Sequence, residues 1–152
     1  MDLPNHSNRT LAIAYADDIT YLHHVSLNSS NQLQNDLDSL IDWCSEIGLI
    51  INVSKTKRMI LSRQTISAVD IPLISLNGNN LPTETSIKIL GVFIDNNMKW
   101  RTQAKYVQSK CARAMSQVRQ LQKIGCNHST LWQVYCSIVR SHILYCWPVW
   151  CD

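Results

Sequence analysis

Asp17 and Asp18 are the side chains of this 152-residue sequence whose types and spacing best suit chemistry, because two adjacent carboxylates stand between the runs Ala12-Ile13-Ala14-Tyr15 and Ile19-Thr20-Tyr21-Leu22. Tyr, Ile and Thr favour strands while Asp favours turns, so the stretch predicts a β-hairpin with its turn at or beside Ala16-Asp17-Asp18. Neighbouring side chains on a strand point to opposite faces, but a tight turn relaxes that rule and lets both carboxylates approach one spot. Two like charges that close repel unless a cation lies between them. Hard divalent ions such as Mg²⁺ answer that need, since they take carboxylate oxygens and keep positions for phosphate oxygens. The pair reads as half of a metal site for phosphoryl transfer, with a solvated Asp-Asp turn as the plain alternative.

The elements that must hold this tip follow it in the chain. From about Asn31 to Ile47 the apolar residues Leu33, Leu37, Leu40, Ile41, Cys44 and Ile47 recur at steps of three and four, with Asp36, Asp38, Asp42 and Glu46 mostly off that stripe, which predicts a helix closed by Gly48. His23 and His24 read as strand-end residues. Leu49 to Ser62 reads as strand, polar turn, strand, with Lys55 in the turn. Ile71 to Pro82 predicts a short strand with an Asn77-Gly78 turn, and Ile87 to Asp95 a further strand. Gly91 inside that strand suits either a bulge or a close backbone approach. Met98 to Ile124 predicts a long helix with the seam Trp100, Ala104, Val107, Cys111, Ala114, Val118 and Leu121. Arg101, Lys105, Lys110, Arg113, Arg119 and Lys123 fall away from the seam with no acidic residue among them. A second helix, capped by Asn127 or Ser129, runs to about Tyr145, where Pro148 stops it.

Charge is unevenly distributed. Residues 1–95 carry six basic and ten acidic side chains, a net of −4, and residues 96–152 carry eight basic and one acidic, a net of +7. The basic third is either an electrostatic footprint for a polyanion or a solubilising face. The charged fraction of 16% is low, which suggests a surface normally covered. No apolar run is long enough to span a membrane and the start is polar, unlike a signal peptide, so the expected location is intracellular. Six cysteines without a Cys-x-x-Cys pair read as reduced core residues.

Tyr15-Ala16-Asp17-Asp18 between hydrophobic flanks resembles the catalytic hairpin of reverse transcriptases, and its alanine is similar to the LINE-like, non-LTR retrotransposon group. Three further blocks follow in the family's order: Trp43, Gly48, Leu49, Asn52, Lys55 and Thr56; then Leu90-Gly91-Val92-x-Ile94-Asp95; then Tyr145, Val149 and Trp150. The resemblance implies an α+β fold, with residues 1–95 as the C-terminal part of a right-hand polymerase palm, built of antiparallel hairpins and one packed helix, and residues 96–152 as a helical thumb-like segment. It implies an RNA-directed DNA polymerase that uses Mg²⁺ (or Mn²⁺), an RNA template, a DNA primer and deoxynucleoside triphosphates, with no membrane. Asp17 and Asp18 would hold metal; Tyr15, Ala16, Leu90 and Gly91 would border the primer, and Arg101, Lys105, Arg113 and Arg119 the nucleic-acid backbone. Lys55 would protonate the departing pyrophosphate or stabilise its charge, or else is an ordinary exposed turn lysine. The family clamps two metals with three carboxylates, the third on an earlier palm strand. With only ten residues before Leu11, the expectation is a fragment lacking that strand and the fingers, inactive alone. The alternative is an RNA- or DNA-binding remnant without chemistry.

Overall fold

Leu11, Ile13 and Tyr15 alternate with Thr10, Ala12 and Ala14, and this two-residue period forms β1 (Thr10–Tyr15), which pairs antiparallel with β2 (Asp18–His23) in a register running from Thr10↔His23 to Tyr15↔Asp18. The computed structural model describes residues 7–24, 30–62 and 73–151. The chain forms two compact units, Met1–Arg58 with Gln64–Thr83, and Met59–Arg63 with Glu84–Asp152. The architecture is α+β, with antiparallel hairpins and helices.

In the first unit the expected helix is α1 (Ser30–Glu46). It ends where Gly48 adopts φ 73°, with the Gly48 amide bonded to the Ser45 carbonyl and the Leu49 amide to that of Cys44. These two bonds satisfy carbonyls that the last helical turn leaves unpaired. Leu33, Leu37 and Ile41 of α1 pack with Ile51 and Val53 around the buried side chains of Ile74, Leu76 and Leu81. The side chain of Gln34 pairs with both backbone groups of Ser75, each bond 3.0 Å, and so completes the edge of a short strand. That strand, β4 (Ser75–Leu76), joins β5 (Asn79–Asn80) through Asn77 at φ 50° and Gly78 at φ 75°, the doubly left-handed turn that Asn-Gly favours. Residues 71 and 72 of the expected strand lie outside the described residues, as does the connector from 64 to 70.

The predicted strand from Leu49 to Val53 does not form. Ile50 is 95% exposed, and the segment is organised by Asn52 instead. Its side-chain oxygen accepts from Ser54 Oγ and the Lys55 amide, and its carbonyl accepts from the Lys55 and Thr56 amides and the Thr56 hydroxyl. Side-chain bonds to local backbone outcompete strand pairing here. Of the expected stretch from Leu49 to Ser62, the part that forms a strand is β3 (Arg58–Met59).

At the division between the units lies β6 (Thr83–Glu84), and the second unit then opens on a hairpin rather than the single strand expected from Ile87 to Asp95. β7 (Ser86–Ile89) and β8 (Val92–Asp95) pair antiparallel, joined by Leu90 at φ 46° and Gly91 at φ 88°. The long helix is α2 (Arg101–Lys123), which starts after Met98 and Trp100, both left-handed. Its seam is shifted by one position from the expected one at the start: Ala104 is exposed and Gln103 is 1% exposed. Gln103 Oε1 accepts the Phe93 amide at 3.0 Å, so a polar side chain is buried to satisfy a strand donor. α3 (His128–Val134) is capped by Asn127, whose side chain accepts the Thr130 amide at 2.8 Å. It continues as a π-helical turn from Tyr135 to Arg140 and then α4 (Ser141–Leu144). Pro148 does not end this helix. The chain turns at Tyr145 and at Cys146, φ 51°, and Pro148 lies in the first turn of α5 (Trp147–Trp150), where its missing amide proton is not needed.

Asp95 closes the start of α2. Its Oδ2 accepts the Thr102 amide at 3.2 Å, replacing a cap that Trp100 does not supply. Burial alone would raise the Asp95 pKa, but hydrogen bonds from Thr102 and from the Arg101 backbone outweigh it and hold the carboxyl below its ordinary 3.8. Asp95→Ala is expected to destabilise the second unit by about 1–2 kcal/mol in urea unfolding. A lowered folded pKa means this contribution is present above pH 3.8 and is lost as pH falls through the folded value, so the difference between parent and variant closes in acid.

Candidate metal and nucleic-acid site

The turn between β1 and β2 consists of Ala16 and Asp17 alone, with Asp18 the first residue of β2 opposite Tyr15. Ala16 has φ 52°, a conformation in which a Cβ is strained and which clusters at functional tips. Both carboxylates are exposed. Asp18 shares a face with Tyr15, Ile13, Thr20, Leu11 and Leu22, and most of that face is open: Tyr15 is 63% exposed, and Leu11, Ile13 and Leu22 are exposed too. Among the described residues no group of three His, Cys, Asp or Glu side chains is placed to hold a metal ion.

The opposite face carries Thr10, Ala12, Tyr21 and His23 and meets α1 through a buried carboxylate, Asp36, which is expected off the apolar stripe. Asp36 is 5% exposed. Its Oδ1 accepts the Ser7 amide at 3.1 Å, and its Oδ2 accepts the hydroxyls of Ser7 at 2.8 Å and Thr10 at 2.5 Å. Because the Thr10 proton goes to Asp36, His23 Nδ1 is the donor in its 2.7 Å bond with Thr10 Oγ1. Burial first, then the nearby Asp36 and Cys44, push the Tyr21 hydroxyl up to about 12. The spacing did contain this signal: position 36 is three after Leu33 and four before Leu40, so helical geometry sets it in the apolar stripe.

Lys55 is exposed in the turn built by Asn52. It shares the first unit with Tyr15, Ala16, Asp17 and Asp18, while Leu90, Gly91 and the basic helix belong to the second. Leu90-Gly91 is the turn of the β7–β8 hairpin rather than the interior of a strand, and what comes close to it is a side chain, not backbone. A Cβ at Gly91 would stand 3.2 Å from the Tyr145 ring, and the Tyr145 hydroxyl donates to the Leu90 carbonyl at 2.7 Å.

Arg101, Lys105, Arg119 and Lys123 are exposed and fall within about 40° of one another around α2 at 3.6 residues per turn. Between them the same stripe carries the exposed neutral residues Gln108, Ala112 and Ser116. Arg113, also exposed, lies about 120° round from Arg101. Lys110 is partly buried with its ammonium 5.5 Å from the Tyr106 ring centroid, so it is engaged within the unit.

Comparison with known proteins identifies the class. Residues 2–94 match the reverse transcriptase (RNA-dependent DNA polymerase) family. The chain belongs to that family, and its resemblance to the LINE-like, non-LTR type is borne out. It is 32% identical over 117 residues to a probable RNA-directed DNA polymerase from transposon BS of Drosophila melanogaster, covering 74% of this chain and 13% of that protein. It is 27% identical over 145 residues to a putative 115 kDa protein in type-1 retrotransposable element R1DM of the same organism, covering 91% of this chain and 14% of the relative. A retrovirus-related Pol polyprotein from type-1 retrotransposable element R1 of Bradysia coprophila is 31% identical over 101 residues, 64% of this chain and 10% of that one. The chain thus spans between 10% and 14% of the length of these curated relatives. No solved structure matches it significantly. Among the described residues no helix is long and apolar enough to cross a membrane.

Proposed function

We propose that this chain is the part of an RNA-directed DNA polymerase that carries the catalytic hairpin, with residues 1–95 in the palm and 96–152 in a thumb-like segment, and that it does not polymerise by itself. The observation that carries the reading is the tip Tyr15-Ala16-Asp17-Asp18: a two-residue turn, inside the stretch matched to the family, that presents both carboxylates to solvent. Two exposed carboxylates fit one Mg²⁺ or Mn²⁺, an ion bound through one or two acidic groups together with phosphate oxygens. Asp17 and Asp18 would hold it. When bound, such an ion stabilises charge developing on phosphate oxygens during nucleotidyl transfer. Two ions need a further carboxylate, and we assign that ligand and the fingers to the rest of a longer polypeptide.

This chain's own residues then take defined parts. Tyr15 and Ala16 border the 3′ end of a DNA primer at the hairpin tip. The Lys55 ammonium faces the triphosphate of the incoming nucleotide, where it donates a proton to the departing pyrophosphate or offsets its charge. Leu90 and Gly91 lie against the primer end, and Arg101, Lys105, Arg113 and Arg119 hold the backbone of the duplex of primer and RNA template. The exposed face of Leu11, Ile13, Tyr15 and Leu22 supports a longer polypeptide, since apolar residues on one face of a two-stranded hairpin ordinarily pack against further structure.

Mn²⁺ is expected to broaden the NMR signals of Asp17 and Asp18 selectively, and Asp17→Asn to abolish the effect. The isolated chain is expected to give no primer extension on an RNA template. Extension that disappears in Asp17→Asn would overturn the inactivity, and unperturbed hairpin signals would overturn the metal assignment. The exposed, unbalanced cations of α2 favour a second reading, a nucleic-acid-binding remnant without chemistry; it requires binding that survives Asp17→Asn.

A further inference from the structure

Tyr145 lies 55 residues after Leu90, yet its hydroxyl donates to the Leu90 carbonyl at 2.7 Å and its ring atoms stand 3.2 to 3.5 Å from where a Cβ on Gly91 would be. The turn it touches needs support. Leu90 at φ 46° is a branched residue in the left-handed region, a conformation that persists only where surrounding structure imposes it. Gly91 at φ 88° is both conformationally permissive and small enough to admit the ring.

Tyr145 is itself held. The helix ends there, Cys146 takes the left-handed φ of 51° before the next helical turn, and the Trp150 indole donates to the Tyr145 carbonyl at 2.8 Å. Trp147 packs edge-on against Trp150 with ring centroids 6.5 Å apart. The first and last residues of the pattern Tyr145…Val149-Trp150 are therefore bonded to each other, and the product of that bond is a tyrosine aimed at a β-turn.

We propose that Tyr145 is a positioning residue for the Leu90-Gly91 turn, and that the closing aromatic cluster exists to fix the geometry with which this turn meets the 3′ end of a nucleic-acid primer. The proposal rests on the reading of Leu90-Gly91 as a primer contact. It predicts that recognition of a primer end depends on a hydroxyl that touches no nucleic acid.

The test uses the full 152-residue chain and two fluorescent RNA–DNA duplexes of equal length, one with a recessed DNA 3′ end and one blunt. The readout is the ratio of the two affinities, together with hydrogen exchange at the Gly91 amide. Tyr145→Phe keeps the ring and removes one hydrogen bond; it is expected to accelerate Gly91 exchange and to lower the ratio about fivefold. Gly91→Ala is expected to be more damaging in the parent than in a Tyr145→Ala background, where the ring it would strike is gone. A changed melting temperature with an unchanged ratio and unchanged Gly91 exchange would overturn the proposal, since a merely structural tyrosine behaves that way. If Leu90→Ala leaves the ratio unchanged, the primer-contact reading fails; faster Gly91 exchange in Tyr145→Phe would still establish the positioning bond.

Discussion

Asp36→Ala is expected to destabilise the first unit by about 3 kcal/mol, the largest effect of a single substitution anticipated in this chain. Asp36 sits at 5% exposure and accepts hydrogen bonds from the Ser7 amide and from the hydroxyls of Ser7 and Thr10. Hydrogen bonds to an ionised group contribute about 1.5–3 kcal/mol each, non-additively, and removing the acceptor leaves partly buried donors without it. Against a typical total stability of about 5–15 kcal/mol the loss is a large fraction. The effect should be concentrated in the β1–β2 hairpin, because Asp36 and its partners join that hairpin to α1. Urea unfolding gives the magnitude, and hydrogen exchange locates it: amides of β1 and β2 lose protection first. Asp36→Asn, which keeps the volume and one acceptor, should be milder. If the alanine variant unfolds at the parent's urea midpoint, the buried carboxylate does not hold the hairpin in place.

Neutralising Arg101, Lys105 and Arg119 together is the second large effect. These side chains are exposed, fall on one stripe of α2 and have no acidic neighbour within the helix. A surface helix that only needs solubility mixes signs; a helix that lies along phosphates does not. Each phosphate contact releases condensed counterions, so changing the three residues to Gln should reduce the slope of log affinity against log salt by about 2.7 for a duplex, and weaken binding about 10- to 100-fold near physiological salt. Melting temperature should barely move, since exposed charges on a helix contribute little to stability. Arg113 lies about 120° round the helix, so Arg113→Gln tests whether the duplex also reaches that side: a further fall in the slope of about 0.9 is expected, and no change would confine the contact to the stripe. An unchanged salt slope in the triple variant would remove α2 as a nucleic-acid surface.

Local signals made much of the fold legible. The stripe from Leu33 to Cys44 with Gly48 after it, the Asn77-Gly78 turn and the Asn127 cap all act over a few residues, and each formed as its chemistry requires. Misreadings arose where partners distant in sequence, or local side chains, competed with periodicity. Leu49 to Val53 has strand-forming residues, but Asn52 folds the segment on itself. Gln103 is buried and Ala104 exposed because a strand amide at Phe93 needs an acceptor. Pro148 begins a helical turn rather than ending one, because the preceding helix had already ended at Leu144.

The hairpin of Asp17 and Asp18 shows the same division. Sequence alone determined that two adjacent carboxylates would stand at or beside a turn between two strands and which family the chain belongs to, because alternation, turn chemistry and motif order are properties of neighbouring residues. Tertiary structure decided that Ala16 takes the strained position, that Asp18 lies in the strand rather than the turn, that Asp36 secures the hairpin from beneath, and that Tyr145 reaches back to Leu90 and Gly91. Those outcomes depend on which donors and acceptors are brought together after the chain is packed, and no periodicity in a linear sequence encodes a partner 26 or 55 residues away.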